Sequence, residues 1–212
     1  MTRAFAFVLT FGLLAAGCGG SEPAPEPAAA PSADADAGWI TLFDGTNLDG
    51  WTPIGDANWR LADGAVEADS GTGFLVSNQS YGDFELRLEF WVNPEANSGV
   101  FIRCSDPSEV TAENSYEVNI FDQRPDPMYR TGGIVDIAPP TATIDAGGQW
   151  NTYEIAAHGS HLSVTLNGTE TVSVMDEKFA RGPFALQYAA GTVRFRNVQI
   201  RPVDGAAAMG AE

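Results

Sequence analysis

Between residues 83 and 93, Phe84, Leu86, Leu88, Phe90 and Val92 alternate with Glu85, Arg87, Glu89 and Trp91. A period of two held this long places every apolar side chain on one face of a strand, whereas a helix would scatter them around its axis. Shorter pieces repeat the pattern along the chain. Residues 39–43 form an apolar strand, and Trp59-Arg60-Leu61 and Val66-Glu67-Ala68 flank Asp63-Gly64, a hairpin signal. Residues 73–77 give another strand. Residues 150–157 and 161–166 pair about His158-Gly159, Asn167-Gly168 turns the chain, and 171–174 and 184–188 follow. In the last strand the apolar phase moves from Val193 and Phe195 to Val198 and Ile200, which requires a bulge near Asn197. The best helical candidate in the domain is a single turn over 176–180. Many short strands separated by regular turns predict an all-β fold, a two-sheet sandwich or a barrel, and the sandwich is the reading adopted here.

The stretch 98–122 carries the candidate chemistry. Val100, Ile102 and Cys104 alternate with Phe101 and Arg103, and Tyr116, Val118 and Ile120 alternate with Glu117, Asn119 and Phe121. If the two strands pair, a guanidinium, a carboxylate and an amide gather on one sheet face beside two aromatic rings, with Asp122 at the strand end. For any one residue a solvated face is the ordinary reading. Together the set fits a polar, ring-shaped ligand. Cys104 shares the phase of Val100 and Ile102 and reads as a buried, inert thiol.

The N-terminus sets the expected location. Arg3 precedes an apolar run over 4–14, followed by Ala15-Ala16-Gly17-Cys18. Such a run is too short to span a bilayer and reads as a signal-peptide core. The small residues before Cys18 resemble a bacterial lipoprotein processing site, with Ala15 where leucine is usual. The reading is a signal peptide over 1–17, a lipidated Cys18 and a Pro/Ala-rich disordered tether over 18–37. A folded domain over 38–203 and a flexible tail over 204–212 complete the division. This places the domain on the bacterial cell envelope, with Gly19 favouring the outer membrane and a periplasmic or surface-exposed domain. A formal net charge of -17 excludes nucleic acid as a partner, since phosphates are repelled.

Familiar catalytic signatures are absent: no Gly-x-Ser-x-Gly elbow, no phosphate loop and no complete dinucleotide fingerprint. Glu117 and Asp122 supply hard oxygen ligands suited to a divalent metal ion such as calcium or magnesium, although the spacing specifies none. Residues 123–142, broken by Pro125, Pro127, Pro139, Pro140, Gly132 and Gly133, form a long connection of the kind that usually serves function.

Several blocks then bring a family into view. The opening segment 39–51, WITLFDGTNLDGW, is followed by 97–103, NSGVFIR, by 116–122, YEVNIFD, and by 131–134, TGGI. Next come 149–152, QWNT, then 166–168, LNG, then Leu186-Gln187 and 195–198, FRNV. In this order the chain resembles the 3-keto-disaccharide hydrolase family, formerly a domain of unknown function. The resemblance implies a concanavalin A-like jelly-roll β-sandwich of two antiparallel sheets, with Arg103, Glu117 and Asn119 on the concave side over a carbohydrate. Many relatives carry His-Gly after the late glutamine, where this chain has Tyr188-Ala189-Ala190, and an aromatic residue at the place of Val135.

The implied reaction removes the proton on carbon 2 of a 3-keto-glycoside, eliminates the glycosidic oxygen from carbon 1 and adds water. On this reading Glu117 is the base or a metal ligand and Arg103 the partner of the enolate. Asn119 and Gln187 orient the sugar, Phe101 and Phe121 line its site, and Asp122 binds metal or ends the strand. A lectin-like module that binds carbohydrate without turnover needs the same face and no base. The leader itself yields a first test: Cys18→Ser should release the protein from the membrane fraction, and globomycin should accumulate an uncleaved precursor. Full retention of Cys18→Ser on membranes would remove the anchor.

Overall fold

The computed structural model describes residues 37–203; the leader, Cys18, most of the expected tether and the tail lie outside the described residues. In chain order the strands are β1 Ile40–Phe43, β2 Trp51–Gly55, β3 Arg60–Ala62, β4 Ala65–Ala68, β5 Gly73–Ser77, β6 Phe84–Val92 and β7 Asn97–Ile102. They continue as β8 Tyr116–Ile120, β9 Trp150–His158, β10 His161–Leu166, β11 Thr169–Met175, β12 Ala185–Ala190 and β13 Val193–Pro202. All pairings between strands are antiparallel. One sheet runs β11-β10-β9-β6-β13-β4-β3, with β1 also on β13, and the other runs β2-β5-β12-β7-β8. The expected two-sheet sandwich is the architecture observed.

The strand with the strictest alternation, β6, lies between β9 and β13 and buries every second residue from Phe84 to Val92. Its apolar face meets Val100, Ile102, Val118, Ile120 and Leu186 from the five-stranded sheet, as facing sheets of a sandwich do. The phase change in β13 is resolved as expected. Its register slips between Arg196 and Gln199, and Asn197 takes φ 52°. That bulge lets one edge of β13 serve two partners, β4 at Val193–Phe195 and β1 at Val198–Ile200. Asp63 and Gly64, at φ 51° and 74°, make the expected tight turn between β3 and β4.

Two features differ from the sequence reading. Strand β2 carries Pro53, which the sheet accepts because β2 is an edge strand paired only with β5. Residues 176–180 form no helical turn. The Asp176 carboxylate accepts from the Tyr116 hydroxyl at 2.6 Å, the Phe179 N–H donates back to that hydroxyl at 3.0 Å, and the segment is irregular with a bend at Lys178. The one short helix among the described residues is a 3-10 turn, Pro127–Tyr129, within the proline-rich connection. That connection also pairs briefly through Ile134 against Val118.

Arg103 follows β7 with φ 53°, a left-handed conformation unusual for a residue with a Cβ. The turn reverses the strand's phase. Its side chain, 1% exposed, runs inward to the edge of the core instead of onto the outer sheet face. There the guanidinium donates to the Gly82, Gly159 and Phe179 carbonyls at 2.9, 2.7 and 3.1 Å and to the Asp83 carboxylate at 2.8 Å. Arg103→Ala strands those acceptors, so the unfolding free energy should fall by roughly 3–5 kcal/mol, read from the shift in urea midpoint. A midpoint within experimental error of the wild type would show that these bonds hold nothing together.

Candidate functional site

Pairing across the five-stranded sheet aligns side chains into rows on its outer face. One row runs Thr52, Val76, Ala185, Phe101, Glu117 from β2 to β8, and the next runs Ile54, Phe74, Gln187, Gly99, Asn119. Glu117 and Gln187 therefore share a face, brought together from strands that are distant in sequence. Gly99 lies between them, and a Cβ there would come within 3.3 Å of the Glu117 carboxylate. Glycine at this position leaves the carboxylate room to lie across the second row, towards Gln187.

The setting of Glu117 is chemically unusual. Partial burial lifts its carboxyl to about 7, the charge of Asp136 pushes the same way, and the Arg124 guanidinium opposes both. Its neighbour Gln187 has a buried side-chain oxygen that meets no hydrogen-bond donor within the protein. An orphan acceptor of this kind is costly unless something from outside donates to it. Asp136 holds φ 60° and accepts from the Tyr129 hydroxyl at 2.7 Å. Arg124 rests over the rings of Phe121 and Tyr129, 5.2 and 5.5 Å from their centroids. A base poised near neutrality with a cation beside it is what proton abstraction next to a carbonyl requires, and the unmatched Gln187 oxygen adds a place for a donor from outside.

The other expected site residues fall differently. Arg103 does not face the sugar side, for the reason given above. Phe101 keeps its expected face but is 1% exposed, edge-on to Phe74 at 5.2 Å and packed with Cys104 and Val110, so its ring is closed to a ligand. The same reversal at Arg103 puts Cys104 in this outer cluster instead of with Val100 and Ile102; burial pushes its thiol up to about 12. Asn119 lies in the row, yet its amide donates to the Tyr129 carbonyl and accepts from the Ile120 N–H. Its side chain holds the long connection against the sheet.

Phe121 is half-buried beneath Arg124. Asp122 spends both oxygens inside the protein, one on Thr131 Oγ1 and the other on the Ala146 and Gly147 N–H groups at 2.8 Å. Among the described residues no three His, Cys, Asp or Glu side chains converge as a metal set, and the donors around Asp122 and Glu117 do not fit one. Arg124, Tyr129 and Asp136 were not anticipated.

Comparison with known proteins bears on the family and the fold. A curated 3-keto-disaccharide hydrolase of Bacteroides thetaiotaomicron is 34% identical over 94 residues, covering 38% of this chain and 31% of that relative. The chain thus matches about a third of that relative's length. A candidate glycosyl hydrolase structure from Parabacteroides distasonis superposes with TM-score 0.73 at 20% identity, over 82% of this chain and 99% of that one. Another from the same organism gives 0.67 at 25% identity, over 78% and 99%. A carbohydrate-binding module of Bacillus subtilis gives 0.58 at 22% identity, over 73% and 97%, a likeness of fold. The sandwich is thus of the jelly-roll type shared by galectin-like and glycosyl hydrolase structures. The sequence model of the 3-keto-alpha-glucoside-1,2-lyase-like domain matches residues 38–201, and the chain belongs to that family.

Proposed function

We propose that the protein is a carbohydrate-processing hydrolase of the cell envelope that cleaves 3-keto-glycosides, with Glu117 as the base at carbon 2. The observation that carries this reading is the Glu117 carboxyl near neutrality, lying across Gly99 from the orphan oxygen of Gln187. The family and the name of the Bacteroides relative support the substrate class.

The chemistry follows from the groups present. A ketone at carbon 3 acidifies the hydrogen on carbon 2. Glu117 takes that proton, and the carbon–hydrogen electrons form the enolate, whose charge Arg124 offsets in the role first given to Arg103. The enolate then collapses, reforming the carbonyl and a carbon 1–carbon 2 double bond as the glycosidic oxygen leaves. Protonated Glu117 can return its proton to that oxygen, which keeps one residue sufficient for both transfers. Water adds at carbon 1, carbon 2 regains a proton, and the net result is hydrolysis. Gln187 accepts a hydrogen bond from a sugar hydroxyl and fixes the ring over Gly99. No step is routed through a metal.

A specific observation keeps a second reading alive: a carbohydrate-binding module shares the fold, and Ala189 stands where the family resemblance leads one to expect histidine. Deuterium exchange separates the two. In heavy water the wild type should place deuterium at carbon 2 of a 3-keto-glucoside, and Glu117→Gln should slow this by ~100-fold or more while ligand binding persists. Binding without exchange in the wild type supports the lectin-like reading instead.

Two pH effects follow from the same carboxyl. Because the base must be ionised, kcat/KM should rise with pH through about 7 and then level off. Stability moves oppositely. A carboxyl raised from 4.5 to about 7 in the folded state favours folding fully only below about 4.5, and that contribution is lost as pH rises to about 7. Glu117→Gln should therefore be more stable than wild type at pH 8 by roughly 1–3 kcal/mol, with the gap closing on acidification. Equal thermal midpoints across pH 4 to 8 would mean the carboxyl is not held out of water.

A further inference from the structure

The row containing Gln187 has one closed end and one open end. At the β8 end the long connection forms a wall: the Asn119 amide holds the Tyr129 carbonyl, Tyr129 bonds Asp136, and Arg124 lies over Tyr129 and Phe121. In the other direction the row continues past Gly99 and Gln187 to Phe74 on β5 and Ile54 on edge strand β2. Phe74, Ile54 and Gln187 are all partly exposed, so this stretch is a trough open to solvent. It runs into a cavity of about 590 Å³ bounded by Thr52, Ile54, Val76, Asn78, Ser80 and Pro107. No charged side chain lines that cavity.

Resting on the assignment of Glu117, we infer that this trough is the leaving-group subsite. The 3-keto ring stops at the blind end over Gly99, and the group attached at carbon 1 extends over Phe74 towards Ile54 and the cavity. Three strand spacings separate Gly99 from Ile54, about 14 Å, so there is room beyond a single ring. Phe74 sits two strand spacings from Gly99, its ring perpendicular to that of Phe101 with centroids 5.2 Å apart. An apolar ring face stacks on an aromatic surface of this kind. The uncharged lining selects a neutral group, and the net charge of -17 disfavours an anionic one. The occupant is therefore a neutral ring with an apolar face, either a sugar or an aryl aglycone. The wall makes the site exo-acting: it receives a terminal keto-sugar and leaves the remainder of the chain lying across the sheet.

Binding by calorimetry to the full chain carrying Glu117→Gln tests the trough, with methyl 3-keto-α-glucoside as the internal reference. A 3-keto-trisaccharide should bind at least about tenfold tighter than the reference. Phe74→Ala and, separately, Thr52→Trp, which fills the cavity from an exposed strand position, should each bring that ratio close to one. A 4-nitrophenyl 3-keto-glucoside, whose ring reaches Phe74 but not the cavity, should respond to Phe74→Ala alone if an aryl group is accepted; loss of its advantage only with Thr52→Trp would contradict the proposed order. Equal affinity of long and short ligands, or a ratio untouched by both variants, overturns the subsite. Wild-type exchange at carbon 2 of the methyl glycoside together with equal affinities removes the trough and leaves Glu117 standing. A length-dependent affinity that both variants abolish, with no exchange, removes Glu117 and leaves the trough.

Discussion

A single buried guanidinium sets the geometry on which the site depends. Arg103 reaches carbonyls before β6, between β9 and β10, and ahead of β12, so it joins connections belonging to both sheets. A charge this deep is tolerated only with a complete set of partners, and here three carbonyls and Asp83 provide it. Meeting them requires the left-handed turn at Arg103. That turn in turn sends Cys104 to the outer face, where it packs with Phe101 and Val110 and closes one flank of the platform beside Glu117. The residue that looked most like a ligand contact is the one that makes the ligand face possible.

The two outer faces of the sandwich treat charge in opposite ways. On the eight-stranded sheet, Arg196 pairs with Glu89 and stacks 3.8 Å from the Trp150 ring, Arg201 pairs with Glu85 near Trp39, and Arg60 and Arg194 share Glu67. Each cation there is flanked by carboxylate or indole, and the part-exposed pairs Arg196–Glu89 and Arg201–Glu85 contribute little stability individually. The five-stranded sheet instead presents apolar and amide side chains, with Glu117 almost alone among them. Partial burial, reinforced by the charge of Asp136, is why that carboxyl is held near neutrality, and Arg124 is the cation placed to act on it.

Most of the fold was legible because burial on one face writes itself into sequence as a period of two. Even the bulge at Asn197 showed, since a slip in phase has no other cheap explanation. Strand β2 was missed because Pro53 and Gly55 mask its pattern, and its edge position, which tolerates proline, is a tertiary fact. In the site, Glu117 and Gln187 were legible from strand phase and from resemblance. Arg103 and Cys104 were misplaced because alternation assumes continued extended backbone, and one positive φ ended it. Arg124, Tyr129 and Asp136 were invisible for a different reason: they lie in a connection with no period, placed beside β8 by the contact of Ile134 with Val118.

The packing of Cys104 has a practical side. Its thiol is 1% exposed and held as the neutral, unreactive form, and it is the one free cysteine among the described residues. Alkylating reagents will therefore pass over the folded domain. A cysteine introduced on the rim of the sheet would be the only reacting thiol among residues 37–203, so a spin label or fluorophore could be attached at a single chosen point of the folded domain without first removing Cys104.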